Sequence, residues 1–337
     1  MIKIILLDIS LRCHFLIIGA VYYNSDIIKE TDRMLKHGIE IQQRVAKGVL
    51  RGLCQCDFSI TLDTVLYEIS IEQMGIRKTS ISTNESMELD YLIAVFNKLD
   101  MLIMLGEGQF IPIEKAWIIE NGKSIESKEL DSKIAMRLNL FNSCDFTIGN
   151  HSKFLSFDQY IDDNVFLKLI KMLEELDIVH PMVLYSMTDT GMPIDCKTAF
   201  IIESFESLAE LVKKYNKSFA KPSYKRGESL LQKCLCAIIK LYGEDIFQKE
   251  INTDLERFTY ILKDSRNRMA HIKSKQGKYY LNGSESILYA VKLSFLYRHI
   301  LLTLLEVDYN LYKSKITELV NDWDNWNGIL EEFLKKF

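Results

Sequence analysis

The hexapeptide from Arg266 to His271, which reads Arg-Asn-Arg-Met-Ala-His, combines residue types that can act on a phosphodiester. Arginine presents a planar fork of donors that matches phosphate oxygens, and histidine exchanges a proton near neutral pH. Asn267 and His271 are four residues apart, so on a helix they share one face and Asn267 can orient the imidazole. Arg266 lies about 140° around the helix from His271. We therefore expect its long side chain to swing across a loosened helix end, which would bring together the minimum set of groups needed to cut RNA without a metal.

Ordinary explanations compete with this interpretation. Arg266 and Arg268 could be solvated helix residues, and His271 could cap a helix C-terminus, where a cation is stabilised. An Arg-to-His spacing of this kind also arises by chance. The surroundings favour a functional site, because the hexapeptide ends the third helix of a predicted bundle and three lysines follow it at 273, 275 and 278.

The charge of the chain is uneven along its length. The 337 residues carry a net charge of −4, but residues 198–298 hold 18 basic and 11 acidic side chains, a net charge of +7. A local positive field suits a polyanionic partner. The length is enough for two domains of roughly 100–200 residues each.

The hydrophobic pattern changes character near residue 197. Residues 57–70 and 111–120 have β-branched and aromatic residues typical of strands, and Asn121-Gly122 predicts a hairpin turn. Strands are also predicted at 15–23 and 133–146, whereas 87–105 is compatible with a helix or with two buried strands. From Thr198 onward the period is helical, with helices at about 199–215, 228–242 and from Thr253, the last opened by a capping box, Thr253-x-x-Glu256. A fourth opens at Asn282-x-x-Glu285.

These patterns predict an α+β protein with two domains. Residues 1–197 form a β-rich α+β domain with a regulatory or sensor role, and residues 198–337 form an antiparallel bundle of four or five helices. The apolar N-terminus is interrupted by Asp8, Arg12 and His14, so neither a signal peptide nor a membrane span is expected. Seven cysteines without a Cys-x-x-Cys pair indicate neither zinc nor disulfides, which favours a reducing cytoplasm and no metal or cofactor.

Residues 199–307 resemble a HEPN domain, a helical bundle marked by Arg-x(4–6)-His with a polar residue after the arginine. The segment ILKDSRNRMAHIK, the following Asn-Gly turn and the long apolar helix ending LLTLLEV are most similar to the HEPN domain of ApeA-like proteins. The rest of the chain resembles those proteins more weakly, in LRCHFLIIGAVYY and FLSFDQYIDDNVFLKLIKMLEEL. One departure is Ile272, where many members have an aromatic residue after the histidine, and it leaves the residue that stacks on a base unassigned.

The resemblance implies a metal-independent endoribonuclease that acts as a homodimer through its HEPN bundle. The RNA 2′-hydroxyl would attack the adjacent phosphorus and leave a 2′,3′-cyclic phosphate, so DNA would not be cut. His271 would move the proton, Arg266 would stabilise the phosphorane, and Asn267 would hold His271. It further implies anti-phage defence by abortive infection, with transfer RNA as one candidate substrate and a phage-derived trigger at the N-terminal domain. The alternative is a non-catalytic HEPN module that binds RNA or a phage protein.

Further residues are candidates for RNA contact or for a purely structural role. Basic side chains near the motif and in the basic, aromatic-bearing loop at 213–226 are predicted to bind RNA, namely Arg268, Lys273, Lys275, Lys221, Lys225 and Arg226. A solvated loop explains the loop residues equally well. Glu203 and Glu206 share one helix face, which is typical of a solvated surface. Arg298-His299 lies in an apolar helix, where a core or dimer-interface pair is expected.

Overall fold

The computed structural model describes residues 38–44, 54–73, 76–85, 87–108, 113–120, 123–130, 132–133, 152–176, 179–187, 192–223, 228–271 and 279–337. The strand predicted at 15–23 lies outside them, as do the turn residues 121–122 and all but the first residue of 133–146. Within the described residues, an antiparallel sheet is followed by a helical region, which confirms the predicted fold class.

The N-terminal sheet has six strands in the order β2-β3-β4-β1-β5-β6. The strands are β1 (Gly38–Arg44), β2 (Cys54–Leu62), β3 (Val65–Gln73), β4 (Ile76–Thr83), β5 (Ile113–Glu120) and β6 (Lys123–Ile125). All neighbours are antiparallel, and β5 pairs with β6 around Asn121-Gly122 as a hairpin requires. One apolar row crosses five strands through the paired residues Phe58, Ile69, Ile81, Ile39 and Ile118.

Side chains along the strands alternate between a buried and a more exposed face, as in a sheet with one face on the core. Helix α1 (Leu89–Glu107) contacts β1 and buries most of its apolar residues, which resolves the ambiguity over residues 87–105 in favour of a helix. The Tyr160 hydroxyl lies against the end of this helix. It donates to the Leu102 carbonyl at 2.6 Å and accepts from the Gly106 amide at 3.1 Å.

The helical region begins at Asp163 and continues to the C-terminus. Its helices are α2 (Asp163–Leu176), α3 (Val179–Met187), α4 (Ile194–Tyr215), α5 (Leu230–Tyr242), α6 (Gln248–His271), α7 (Gly283–Leu304), α8 (Lys313–Asp324) and α9 (Ile329–Leu334). Helix α4 contacts α3, α5, α6 and α7, so it lies at the centre of the bundle.

One helix boundary differs from the sequence prediction. Helix α4 begins five residues before the predicted Ala199, directly after Pro193, and Asp195 stabilises its first turn. The preceding helix α2 ends at Leu176, and His180 and Pro181 lie in the first turn of α3. A proline is tolerated there because the first amides of a helix have no partner within it.

Helix α7 is the core helix of the bundle. It is the one described helix long and apolar enough to cross a membrane, but 72% of its most apolar window is buried in the protein. It contacts α1, α3, α4, α5, α8 and α9. Its apolar character is therefore explained by packing on all sides.

Arg298 of α7 joins the bundle to the end of α1 and to Ser152 in the N-terminal region. Its side chain is 1% exposed, and it donates to the carbonyls of Leu105, Gly106 and Ser152 at 2.8 to 2.9 Å. The first two are carbonyls at the C-terminal end of α1, where helical partners are lacking and the helix dipole attracts a cation. Burial lowers the pKa of Arg298 to about 9, so it stays charged at neutral pH.

The approach of Arg298 depends on a glycine at the end of α1. Gly108 adopts a left-handed conformation, with φ of 79° and ψ of 3°, and its amide caps the helix at the Met104 carbonyl. A Cβ atom there would lie 2.7 Å from Arg298 Nη1 and from Ser152. Arg298 and His299 are both buried, which agrees with the core-pair interpretation.

Replacing Arg298 should destabilise the whole chain. Arg298→Met removes the guanidinium from three carbonyls, of which that of Gly106 still accepts the amides of Phe154 and Leu155, and we expect the free energy of unfolding to fall by about 3–5 kcal/mol. Arg257→Met, which alters a half-buried arginine near the Tyr260 ring, should cost less than about 1 kcal/mol. Urea unfolding of both variants makes the comparison, and equal losses would contradict the role of Arg298.

Two histidines are buried without charge in the bundle. His180 Nδ1 lies 2.9 Å from the Tyr297 hydroxyl, and burial lowers the pKa of His180 to about 3. His299 Nδ1 lies 3.1 Å from the Tyr312 hydroxyl, and burial lowers its pKa to about 4, partly opposed by Asp245. Because the unfolded chain binds these protons at a higher pH than the folded chain does, stability is lost as the pH falls below 6.5.

The His180→Asn variant should therefore lose stability less steeply in acid. Between pH 7 and pH 5, His180 alone should cost the native chain about 2 kcal/mol of unfolding free energy, and this part is absent in the variant. Urea unfolding at the two pH values measures the difference. Parallel losses in both proteins would mean that His180 is already protonated or exposed in the folded chain.

Candidate functional site

Helix α6, which ends at His271, is interrupted near its start. Asp254 has an extended backbone, with φ of −164° and ψ of 91°, and its Oδ1 accepts the amide of Arg257 at 2.9 Å. Thr253 Oγ1 instead donates backward to the Lys249 carbonyl. The predicted capping box at Thr253 is therefore wrong by one residue, because Thr253 still belongs to the preceding turn and Asp254 supplies the cap.

From this cap the helix is anchored along its apolar stripe. Leu255, Phe258, Ile261 and Leu262, which recur at helical spacing, are buried. Near the C-terminal end, Ser265 Oγ donates to the Ile261 carbonyl at 2.8 Å and accepts the Leu281 amide at 3.0 Å. The second bond ties the end of α6 to the segment that precedes α7.

Arg266 is held on two sides by acceptors. Its Nε forms an ion pair with Oε2 of Glu203 on α4, and its Nη1 donates to Asn267 Oδ1 at 2.9 Å. The side chain of Arg266 is 26% exposed and that of Glu203 is 41% exposed, so the pair lies at the rim of the bundle. A guanidinium has five donors, so these contacts leave donors on Nη1 and Nη2 for a ligand.

Asn267 contacts the arginine of the motif. The sequence predicted that it orients His271, whereas its described hydrogen bond fixes Arg266. Helix α6 extends to His271, but the side chain of His271 lies outside the described part of the structure. The Asn267–His271 contact therefore stays a prediction.

A small, open cleft with about 20 Å³ of volume accessible to water lies beside the motif, between α4, α6 and the start of α7. Arg266 and Arg268 line it, and the Arg268 guanidinium lies 5.3 Å from the centre of the Tyr280 ring. Asp195 Oδ1 accepts the Ser286 hydroxyl at 2.6 Å on the opposite wall. The cleft thus combines two cations, an aromatic ring and a carboxylate.

The predicted RNA-binding residues fall in different places. Arg268 lies at the cleft, whereas Lys221 pairs with Glu210 and is 16% exposed. The remaining four lie outside the described residues, namely Lys273, Lys275, Lys225 and Arg226. RNA contact by any of the six stays a prediction.

Tyr279, just before α7, is held by a hydrogen-bond network that includes Lys336 near the C-terminus. The predicted capping box is confirmed, with Asn282 and Glu285 exchanging hydrogen bonds at the start of α7. Glu285 Oε1 also accepts the Tyr279 hydroxyl and pairs with Lys336 at 2.8 Å. Burial and then the bond to Glu285 raise the pKa of Tyr279 to about 12. Tyr279 is thus engaged in a closed network, and Tyr280 is covered by Arg268.

The described residues contain no group of three or more His, Cys, Asp or Glu side chains that could hold a metal ion. Glu203 is the site residue that sequence reasoning missed. Its place on one face with Glu206 was visible, but the opposing cation comes from a helix about 60 residues further on, and only the packing of α4 against α6 brings them together.

Residues 185–311 match the family described as Apea-like HEPN. The match covers less than half of the chain but includes α4 to α7 and the whole motif, so the chain contains an Apea-like HEPN domain, as the sequence predicted. Comparison with curated proteins and with solved structures gave no match.

The cap of the motif-bearing helix can be tested with adjacent substitutions. Asp254→Ala removes the acceptor for the Arg257 amide and should lower the free energy of unfolding by about 1 kcal/mol. Thr253→Ala should cost less than about 0.5 kcal/mol, because the threonine does not cap. Urea unfolding ranks the two variants, and the reverse order would place the cap at Thr253.

Proposed function

We propose that this protein is a metal-independent endoribonuclease of the HEPN type. The observation that carries the proposal is the arginine of the Arg-x(4)-His motif, which Glu203 and Asn267 hold beside a cleft that Arg268 also lines. The match to Apea-like HEPN proteins adds support, because HEPN domains as a family are associated with RNA cleavage.

In the proposed reaction the RNA supplies its own nucleophile. The 2′-hydroxyl attacks the adjacent phosphorus, the bond to the 5′-oxygen breaks, and a 2′,3′-cyclic phosphate remains. His271 moves the proton to or from the reacting oxygens. The free donors of Arg266 stabilise the negative charge on the phosphorane. This lowers the barrier because the charge develops in the transition state.

The biological setting is also part of the proposal. The protein acts in the cytoplasm in defence against phage, by damaging RNA and halting growth of the infected cell, and transfer RNA is a candidate substrate. Residues 1–197 sense a phage-derived trigger, and residues 198–337 cut RNA as a homodimer. The proposed communication between the two regions is supported by Arg298. This residue of the bundle donates to carbonyls of the N-terminal region and so connects the two regions physically.

Substituting the motif histidine tests the chemistry. His271→Ala should lower cleavage of a mixed RNA pool by at least about 100-fold, the size typical of losing an acid–base group. Products are assayed for 2′,3′-cyclic phosphate ends, with thermal unfolding as a check on the fold. EDTA should leave the wild-type rate unchanged, and an oligonucleotide with a 2′-deoxy group at the scissile position should resist cleavage.

Full activity of His271→Ala, or loss of the wild-type activity in EDTA, would refute the mechanism. Salt-dependent RNA binding without any cyclic-phosphate product would favour the non-catalytic binding module instead. Sequencing of RNA ends after induced expression, wild type against His271→Ala, then identifies the RNA that is cut.

A further inference from the structure

We propose that Glu203 is a positioning residue for Arg266, which holds the guanidinium so that its outer edge faces the scissile phosphate. The inference rests on the proposed function and extends it to a residue outside the Arg-x(4)-His motif. Glu203 lies on α4, more than 60 residues before Arg266, and forms its ion pair through Oε2.

The geometry of the guanidinium carries the argument. Glu203 engages Nε, and Asn267 engages one of the two hydrogens on Nη1. Two contacts on different nitrogens fix the plane of the group, which would otherwise rotate about four side-chain torsions. The remaining hydrogens lie on Nη1 and Nη2, and this end of the fork is one that can bind two phosphate oxygens together.

The supports of the two contacts differ in rigidity. Asn267 neighbours Arg266 in the chain and moves with it, whereas Glu203 belongs to the central helix of the bundle. Ile201, Ile202 and Phe205, which flank Glu203 on α4, are fully buried. Glu203 therefore fixes the position of Arg266 relative to the packed core. A catalytic group needs such a fixed position to stay aligned with a reacting phosphorus.

The same carboxylate could in principle act against RNA, since it neutralises the charge of Arg266. A competitor for phosphate should occupy the Nη1–Nη2 edge that is assigned to phosphate here, but Glu203 engages Nε. Glu206, one turn further along α4, brings more negative charge to this face. Its pKa is raised, first by burial and then by Glu203, while Arg266 and Lys221 lower it. The contact of Glu203 with Nε therefore favours positioning over blockade.

Two substitutions of Glu203 separate these roles. Glu203→Gln keeps an acceptor oxygen without the charge, and Glu203→Ala removes both. Positioning predicts that kcat on an RNA oligonucleotide falls in the order wild type, Gln, Ala, with the Ala variant about 10- to 100-fold below wild type. KM should change much less, because alignment is needed chiefly in the transition state. A rise in kcat/KM in the same order would establish blockade and overturn the proposal, and so would wild-type kinetics in both variants.

The matched control is Glu175→Gln. Glu175 is 45% exposed and pairs with Lys214 of α4, so it resembles Glu203 in exposure and in bonding to a surface cation. This variant should keep the wild-type kcat and KM. Thermal unfolding of all variants confirms that the fold is retained.

A measurement that does not depend on RNA cleavage tests the role of Glu203 separately from the proposed function. In NMR spectra the Nε–H signal of Arg266, assigned by its loss in Arg266→Lys, should persist against solvent exchange in wild type and in Glu175→Gln, and collapse in Glu203→Ala. An unchanged signal in Glu203→Ala would show that Glu203 does not hold Arg266. Persistence in wild type with no RNA cleavage would instead refute the nuclease proposal while leaving the anchor intact.

Discussion

The structure depends on one buried cation, Arg298. An arginine in the middle of an apolar helix would be costly if it lacked partners, because a charge removed from water must recover its solvation from the protein. Here the recovery comes from carbonyls at the end of α1 and from Ser152, and the guanidinium carbon also lies 3.8 Å from the centre of the Phe154 ring. The bundle therefore depends on acceptors of the N-terminal region to solvate this cation.

This constraint extends to the motif through α7. Asn282 and Glu285 cap the first turn of the helix, Ser286 lies in the cleft, and Arg298 is three turns further on. The helix is buried on almost every side between these points, and protein cores are too densely packed for such a helix to deform gradually. Its two ends are therefore mechanically linked, so the geometry of the cleft depends on how the bundle is seated on the N-terminal region.

The parts of the fold that follow from local pattern were predictable. The strand at 111–120, the stripe on α6 and the box at Asn282 each depend on neighbours in sequence, whereas strands β1 and β4 were not predicted. The cap of α6 was placed one residue early because both Thr253 and Asp254 can cap, and the sequence does not reveal which has the extended backbone. Glu203 was assigned to a solvated face for a related reason: its partner is set by helix packing, which single-sequence periodicity does not encode.

The site also illustrates how a surface ion pair can orient a functional group while contributing little to stability. An exposed pair contributes little to stability, since solvent screens it and its side chains lose freedom. Glu203 and Arg266 lie at the rim, so their pairing adds little to the folding free energy. A nuclease without a metal must instead direct an arginine at one phosphorus. This requires a fixed orientation of the guanidinium more than a large contribution to the folding free energy. A carboxylate on α4, the helix at the centre of the bundle, provides that orientation, at a position where its loss would leave the fold intact.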